Sequence, residues 1–188
     1  MEKLKEAPVL ETARLKLRAH RLDDFRACAA MWADSTVARY IGGKVLTEEE
    51  SWTKLLRYAG HWSLLSFGYW AVEEKETASF IGELGFADYK RDIQPSLGNT
   101  PEAGWIFSPA AHGKGYASEA LHEVLAWGDA HFADSHTVCL IHPENASSIR
   151  LAGKFGYAEV QRTSYKGRPA VLFARPRRLL PSRRLTTA

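Results

Sequence analysis

Residues 101–119 read PEAGWIFSPAAHGKGYASE. Glu102–Phe107 has the branched and aromatic content of a strand. A loop with glycines at 113 and 115 follows, and a helix is expected from Tyr116 to about Phe132. The first turn of any helix presents backbone N–H groups without partners, and the helix dipole makes that end positive. Glycines at 113 and 115 remove side chains that would block a close approach. Loop and helix end together form a nest of N–H groups suited to a phosphate or pyrophosphate. A plain glycine turn between a strand and a helix is the competing reading of the same residues.

On the N-terminal side, residues 14–19 (RLKLRA) alternate apolar and basic side chains, which predicts a strand with one buried face. Asp23 and Asp24 place acids at the start of a helical run through Met31 and Trp32. Thr47 with Glu50 three residues later is a capping box, opening a second helix that ends near Phe67-Gly68. Tyr69–Glu73 and Ser79–Tyr89 predict strands, the second with glycines that mark a bulge or a close backbone approach. Residues 91–100 are polar and rich in turn formers, as in a hairpin loop. On the C-terminal side, Thr137–Ile141 predicts a buried strand and Asn145–Phe155 a short helix. Glu159–Tyr165 and Pro169–Ala174 predict a closing pair of strands around Lys166-Gly167. The order β-α-α-β-β-β-α-β-α-β-β is that of a mixed α/β (α+β) sheet with helices against it.

The chain's 188 residues fit one domain, residues 1–174, with a short tail, 175–188. With 45% hydrophobic and 25% charged residues the composition is globular, and no run of 18 apolar residues predicts a membrane helix. The opening MEKLKEAPVLE lacks a signal pattern, and Cys28 and Cys139 are too few for a disulfide framework, so a reducing cytoplasm is expected. The formal charge of +3 is concentrated in Arg175, Arg177, Arg178, Arg183 and Arg184. Residues 1–174 hold 20 basic and 22 acidic side chains, which does not suit a nucleic-acid-binding domain. The arginine tail reads as solvated, with an RNA or ribosome contact as its alternative. The mildly acidic body tilts towards a cationic partner.

No histidine stands in a metal-ligand pattern with a nearby acid, so no metal site is expected. No G-x-S-x-G elbow is present and neither cysteine has a motif around it, which argues against serine or cysteine hydrolysis. Three phosphate-binding patterns compete for the loop. A Walker loop needs G-x-x-x-x-G-K-[ST], which fails because Tyr116 follows Gly115. A dinucleotide fingerprint is met by Gly113 and Gly115, but Ser118 takes the third glycine's place and Gly113 lies six residues beyond Phe107. Asp134 stands where that fingerprint's ribose acid would.

The third pattern is the coenzyme A loop of the GNAT acetyltransferases. Ala110-Ala111-His112-Gly113-Lys114-Gly115 resembles that family's [QR]-x-x-G-x-[GA]. Tyr116–Leu121 resembles the helix start of the branch that acetylates ribosomal-protein N-termini (RimJ/RimL-like). Asn145–Tyr157 resembles N-x-x-S-x-x-x-x-x-K-x-G-[FY], and Leu10–Leu15 with Leu17-Arg18 resembles the branch's first strand. The resemblance spans roughly residues 9–175. It departs at Ala110, where Gln or Arg is usual, at Ala152, where many members place a tyrosine acid, and at Gly153, where the branch often has Glu.

The resemblance implies the GNAT fold, acetyl-CoA as cofactor, and an amine acceptor: a protein N-terminus or a small amine. The backbone of Trp105, Ile106 and Phe107 would pair with the pantetheine arm as an added strand. His112, Gly113, Lys114, Gly115, Tyr116, Ala117 and Ser118 would surround the phosphates. Asn145 would cap its helix and bond the pantetheine amides, with Ser148 beside it. Lys154 is either a surface lysine or a phosphate partner. Glu102 and Glu83 are the candidates for the base, and Ser148, ahead of Tyr157, for the acid that protonates the leaving thiolate. A homodimer is common in the family. A CoA-binding module without catalysis is the alternative that Ala110 and Ala152 support.

Overall fold

Alternating and continuous apolar runs give the chain its strands, and a computed structural model describes residues 4–132 and 136–176. In chain order the elements are β1 (Leu10–Glu11), β2 (Leu15–Arg18), α1 (Phe25–Trp32), α2 (Ser35–Ala38), α3 (Glu48–Leu65), β3 (Tyr69–Glu74), β4 (Ser79–Ala87), β5 (Glu102–Phe107), α4 (Tyr116–His131), β6 (His136–Ile141), α5 (Ala146–Lys154), β7 (Ala158–Tyr165) and β8 (Arg168–Pro176). Among the described residues they form one eight-stranded sheet of order β1-β2-β3-β4-β5-β6-β8-β7. Every neighbouring pair is antiparallel except β5 and β6. The mixed sheet and the predicted order of elements agree. β1 and α2, of two and four residues, are too short to leave a periodic signal.

Two apolar cores flank the sheet. On one face α4 lays Leu121, Val124 and Trp127 against Trp70, Val72, Leu84 and Phe86. Trp62, Trp70 and Trp127 meet edge to face, with centroids 4.6–5.5 Å apart, the geometry their ring quadrupoles favour. On the other face α1 and α3 pack Cys28, Met31, Trp32 and Tyr58 against Tyr69 and Ile106. The capping box forms as the sequence predicts: Glu50 N–H donates to Thr47 Oγ1 (3.2 Å) and Thr47 N–H to the Glu50 carboxylate (2.8 Å).

Asp23 and Asp24 stand at the start of the helical run as expected, in the first turn of a short 3-10 stretch, Leu22–Asp24, that leads into α1. The Asp24 carboxylate takes Nη1 and Nη2 of Arg18, each at 2.8 Å, and the Arg21 N–H at 2.7 Å. One sequence expectation needs correction: Arg175 is not a solvated tail residue. It lies within β8 at 4% exposure, bonded through two nitrogens to Asp129 (2.7 and 2.6 Å) and through Nε to Phe155 O (3.1 Å). The four tail arginines from Arg177 onward, and Asp134, lie outside the described residues.

Candidate active site

The site begins with a break in the sheet. β5 pairs with β4 along its whole length, from Glu102↔Ala87 to Phe107↔Gly82. β5 and β6 pair at Glu102↔Val138 alone and then diverge. The β6-facing edge of β5 beyond Glu102 therefore has no strand beside it. A crevice outside the carboxyl ends of parallel strands is where open sheets take ligands. α4 follows β5 and α5 follows β6, so both helix starts lie at the mouth of this split. A cleft of about 1210 Å³ opens there, lined by Gly104, Trp105 and Ile106 of β5, Ile141 of β6, and Asn145 and Ser148 of α5. Gly104 is required on packing grounds: a Cβ there would stand 1.9 Å from the Tyr69 hydroxyl.

The glycine turn has the predicted form. Gly113 and Gly115 sit at φ +75° and +81°, the left-handed region that favours glycine. Glu119 N–H donates to Gly115 O (3.0 Å), so the N–H groups of 116–118 stand at the helix end without an intrahelical acceptor. The His112 ring shares a hydrogen bond with Phe107 O (2.9 Å), tying the loop to the end of β5. Lys114 O accepts from Arg14 (3.0 Å), and the Arg14 guanidinium lies 4.5 Å from the Tyr116 ring centre. Lys154 reaches from α5 to Ser118 Oγ (2.6 Å), so these two residues stand together at the first turn of α4. Ala117 is half-buried beside them. Asn145 caps α5, its side chain accepting from Ser148 N–H (3.2 Å). Trp105 Nε1 donates to Ser148 Oγ (3.2 Å) across the split.

The four candidates for proton transfer separate. Glu102 and Ser148 line the cleft. Both Glu102 oxygens are held by Arg91, at 2.5 and 2.7 Å. Glu83 is fully buried beneath α1 and α3 and takes hydrogen bonds from Tyr58, Trp32 (2.9 Å) and Cys28 (3.5 Å), with His20 Nε2 at 3.6 Å. Burial pushes its carboxyl up, but His20, Lys54 and Tyr58 outweigh that and hold it below the ordinary glutamate value. Tyr157 is 4% exposed and bonded to Thr137 Oγ1 (2.8 Å); burial holds its hydroxyl well above the tyrosine range. Glu83 and Tyr157 are thus occupied in the core and absent from the cleft wall, which corrects their candidacy. Both face inward from strand and loop positions whose partners come from distant segments.

Sequence reasoning missed two groups. Arg14 donates through Nε and Nη2 to one Glu119 oxygen, Oε2 (2.8 and 2.6 Å), and the other, Oε1, accepts from Arg14 N–H (2.9 Å) and Thr12 Oγ1 (2.5 Å). This pair clamps the N-terminal strand segment to the first turn of α4. Its only sequence signal was an acid in the helix's first turn. The second group is Lys54 and Arg57 of α3, on the cleft's helical wall. Among the described residues no group of three or more His, Cys, Asp or Glu could hold a metal ion, and no helix is long and apolar enough to cross a membrane.

An unpaired strand edge, a nest of N–H groups, and Arg14 and Lys154 beside it fit a long thiol cofactor with an anionic end. The backbone edge suits the amides of a pantetheine arm, and the nest suits its pyrophosphate. Residues 14–158 match the model of the acetyltransferase (GNAT) domain. A putative GNAT-family acetyltransferase from Bordetella pertussis is 30% identical, with 90% of this chain and 99% of that one covered and a TM-score of 0.79. Two less similar structures share the fold. RimL, a ribosomal L7/L12 α-N-protein acetyltransferase solved with coenzyme A, is 14% identical over 90% and 98% of the chains, with a TM-score of 0.73. Spermidine N-acetyltransferase from Vibrio cholerae, solved with CoA and spermine, is 17% identical over 88% and 97%, with a TM-score of 0.69. With that match over most of its length, and with the strand split and glycine turn in place, this chain belongs to the GNAT family and is an N-acetyltransferase that uses acetyl-CoA.

Proposed function

We propose that the enzyme acetylates a primary amine, a protein N-terminus in first place and a ribosomal one among these, by direct attack within a ternary complex in the cytoplasm. The observation that carries this reading is the split between β5 and β6 beside the glycine turn. The branch-like motifs and the fold shared with RimL support a protein acceptor. The fold shared with spermidine N-acetyltransferase supports a small amine as the alternative. The free edge of Trp105–Phe107 binds the pantetheine arm. The N–H groups of 113–118 hold the pyrophosphate, with Arg14 and Lys154 as further phosphate partners and Asn145 at the arm's amides. When bound, acetyl-CoA supplies the acetyl group as a thioester, whose C–S bond is exchanged for the amide C–N bond. Glu102 takes the proton that the amine must lose, directly or through one water. Ser148, held by Trp105, donates towards the leaving sulfur. Holding amine and acyl group together in one cleft supplies the largest share of the acceleration.

Calorimetric titration with acetyl-CoA, and with NADH in parallel, tests the cofactor site. The expected result is micromolar acetyl-CoA binding, no NADH binding, and loss of affinity by at least about tenfold in Gly115→Glu, which puts a carboxylate into the nest. Initial rates against both substrates should give intersecting double-reciprocal lines. Acetyl-CoA binding with no turnover on any amine would replace the transferase with a CoA-binding regulatory module.

A further inference from the structure

The cleft's charged groups are not balanced. Of its acidic lining residues, Glu102 is held by Arg91, Asp88 by Lys90 (2.7 Å), and Glu50 by Lys44 (3.0 Å) and the helix cap; Glu49 is exposed at the rim. Lys90 and Arg91 are thereby spent. Lys54 and Arg57, one helical turn apart on α3, line the same cleft, and among the described residues neither has a carboxylate within 4 Å. Aromatic rings hold them instead. Lys54 Nζ lies 4.0 Å from the centre of the Trp32 ring, and the Arg57 guanidinium lies 5.0 Å from that of Tyr89. A cation over a ring face is fixed in place while its N–H donors stay free for another acceptor. The buried carboxylate beneath α1 and α3, Glu83, is occupied by Tyr58, Trp32 and Cys28.

Resting on the transferase reading above, we propose that the acceptor carries an anionic group besides its amine, a carboxylate or a phosphorus oxyanion, which Lys54 and Arg57 bind on the helical wall. Charge-assisted, two-donor recognition of an oxyanion is what an ammonium and a guanidinium on one face supply. The same wall disfavours polyamines, whose second ammonium would meet two cations. A free amino acid and a peptide N-terminus with an acidic side chain in its first residues both carry this chemistry.

The test is a set of matched acceptors: free amino acids against their amides, and Ala-Asp-Ala-amide against Ala-Asn-Ala-amide, with putrescine as the cationic control. Acetyl transfer is measured as kcat/KM. The expected result is a preference of at least about tenfold for the anionic member of one series; which series shows it identifies the source. Lys54→Met and Arg57→Gln should each bring that ratio towards one, while Lys54→Arg preserves it, which loss of fold alone would not do. Equal or better use of the neutral or cationic members by the wild type, or a ratio unchanged in both variants, overturns the proposal and leaves the transferase standing. Transfer to no acceptor of any charge overturns both.

Discussion

Glu102 and Glu83 sit on neighbouring strands, and as sequence they are two carboxylates of equal standing. Their surroundings separate them. Glu102 stands in the cleft with Arg91, whereas Glu83 anchors a buried cluster drawn from β2's end, α1 and α3. The two substitutions to glutamine should therefore fail in different ways. Glu102→Gln is expected to lower kcat/KM by about 10²-fold or more at unchanged acetyl-CoA affinity, because the proton acceptor is gone. Glu83→Gln is expected to lower stability by about 1–3 kcal/mol, because the buried donors lose a charged acceptor. The pH dependence has a definite sign. Glu83 has a lowered folded-state value, so its stabilisation is complete above about 4.3, the ordinary glutamate value, and is lost as pH falls through the folded value. The stability difference between wild type and Glu83→Gln should thus shrink on acidification, as thermal melts in a pH series would show.

At the scale of elements, β8 closes the fold through one buried ion pair. Arg175 and Asp129 are both buried, and their pairing ties β8 to α4. Arg175→Met should cost about 3–5 kcal/mol, because the Asp129 charge stays buried without its guanidinium. The double variant Arg175→Met/Asp129→Leu should regain much of this, both read from urea midpoints at constant m. Sequence alone places Arg175 in a tail because Pro176 and four more arginines follow it. Its partner lies 46 positions earlier, beyond the reach of any local pattern. What local patterns do fix is legible. The Thr47/Glu50 box, β5 from Glu102 to Phe107 and the start of α4 at Tyr116 all rest on side chains within a few residues of each other. The resemblance implied that the Trp105–Phe107 backbone takes an added strand, but the split between β5 and β6 that frees this edge left no local signal, because the one pair joining them, Glu102↔Val138, lies 36 positions apart in sequence. The Lys54–Arg57 wall was hidden for a related reason: on a helix surface a stripe of charges reads as solvated until the facing strands are in place.

For the whole molecule, net charge misdirects. The near-neutral, slightly acidic balance of residues 1–174 tilts the sequence reading towards a cationic partner. Yet that sum averages over paired surface charges and says nothing of where unpaired ones gather. Lys54 is one of them, and its position weighs on the entire fold. Burial lowers its ammonium to about 8, against the attraction of Glu83. The folded protein therefore holds the charged form at a cost that the unfolded chain, with an ordinary lysine value of about 10.4, does not bear. Below pH 8 both states are protonated and the cost is present in full. Between about 8 and about 10.4 the unfolded chain binds more protons than the folded one, so stability from this group rises with pH. Above that range the cost is gone. Lys54→Met should accordingly stabilise the protein at pH 7 by roughly 2 kcal/mol after allowance for screening at the cleft wall. The gain should decline through the same window until only the apolar contribution of the methionine remains. Chemical denaturation of both proteins at pH 7, 9 and 11 measures this directly. A residue whose removal stabilises the fold at neutral pH while weakening discrimination among acceptors is one retained for binding, and the two measurements together separate that role from a structural one.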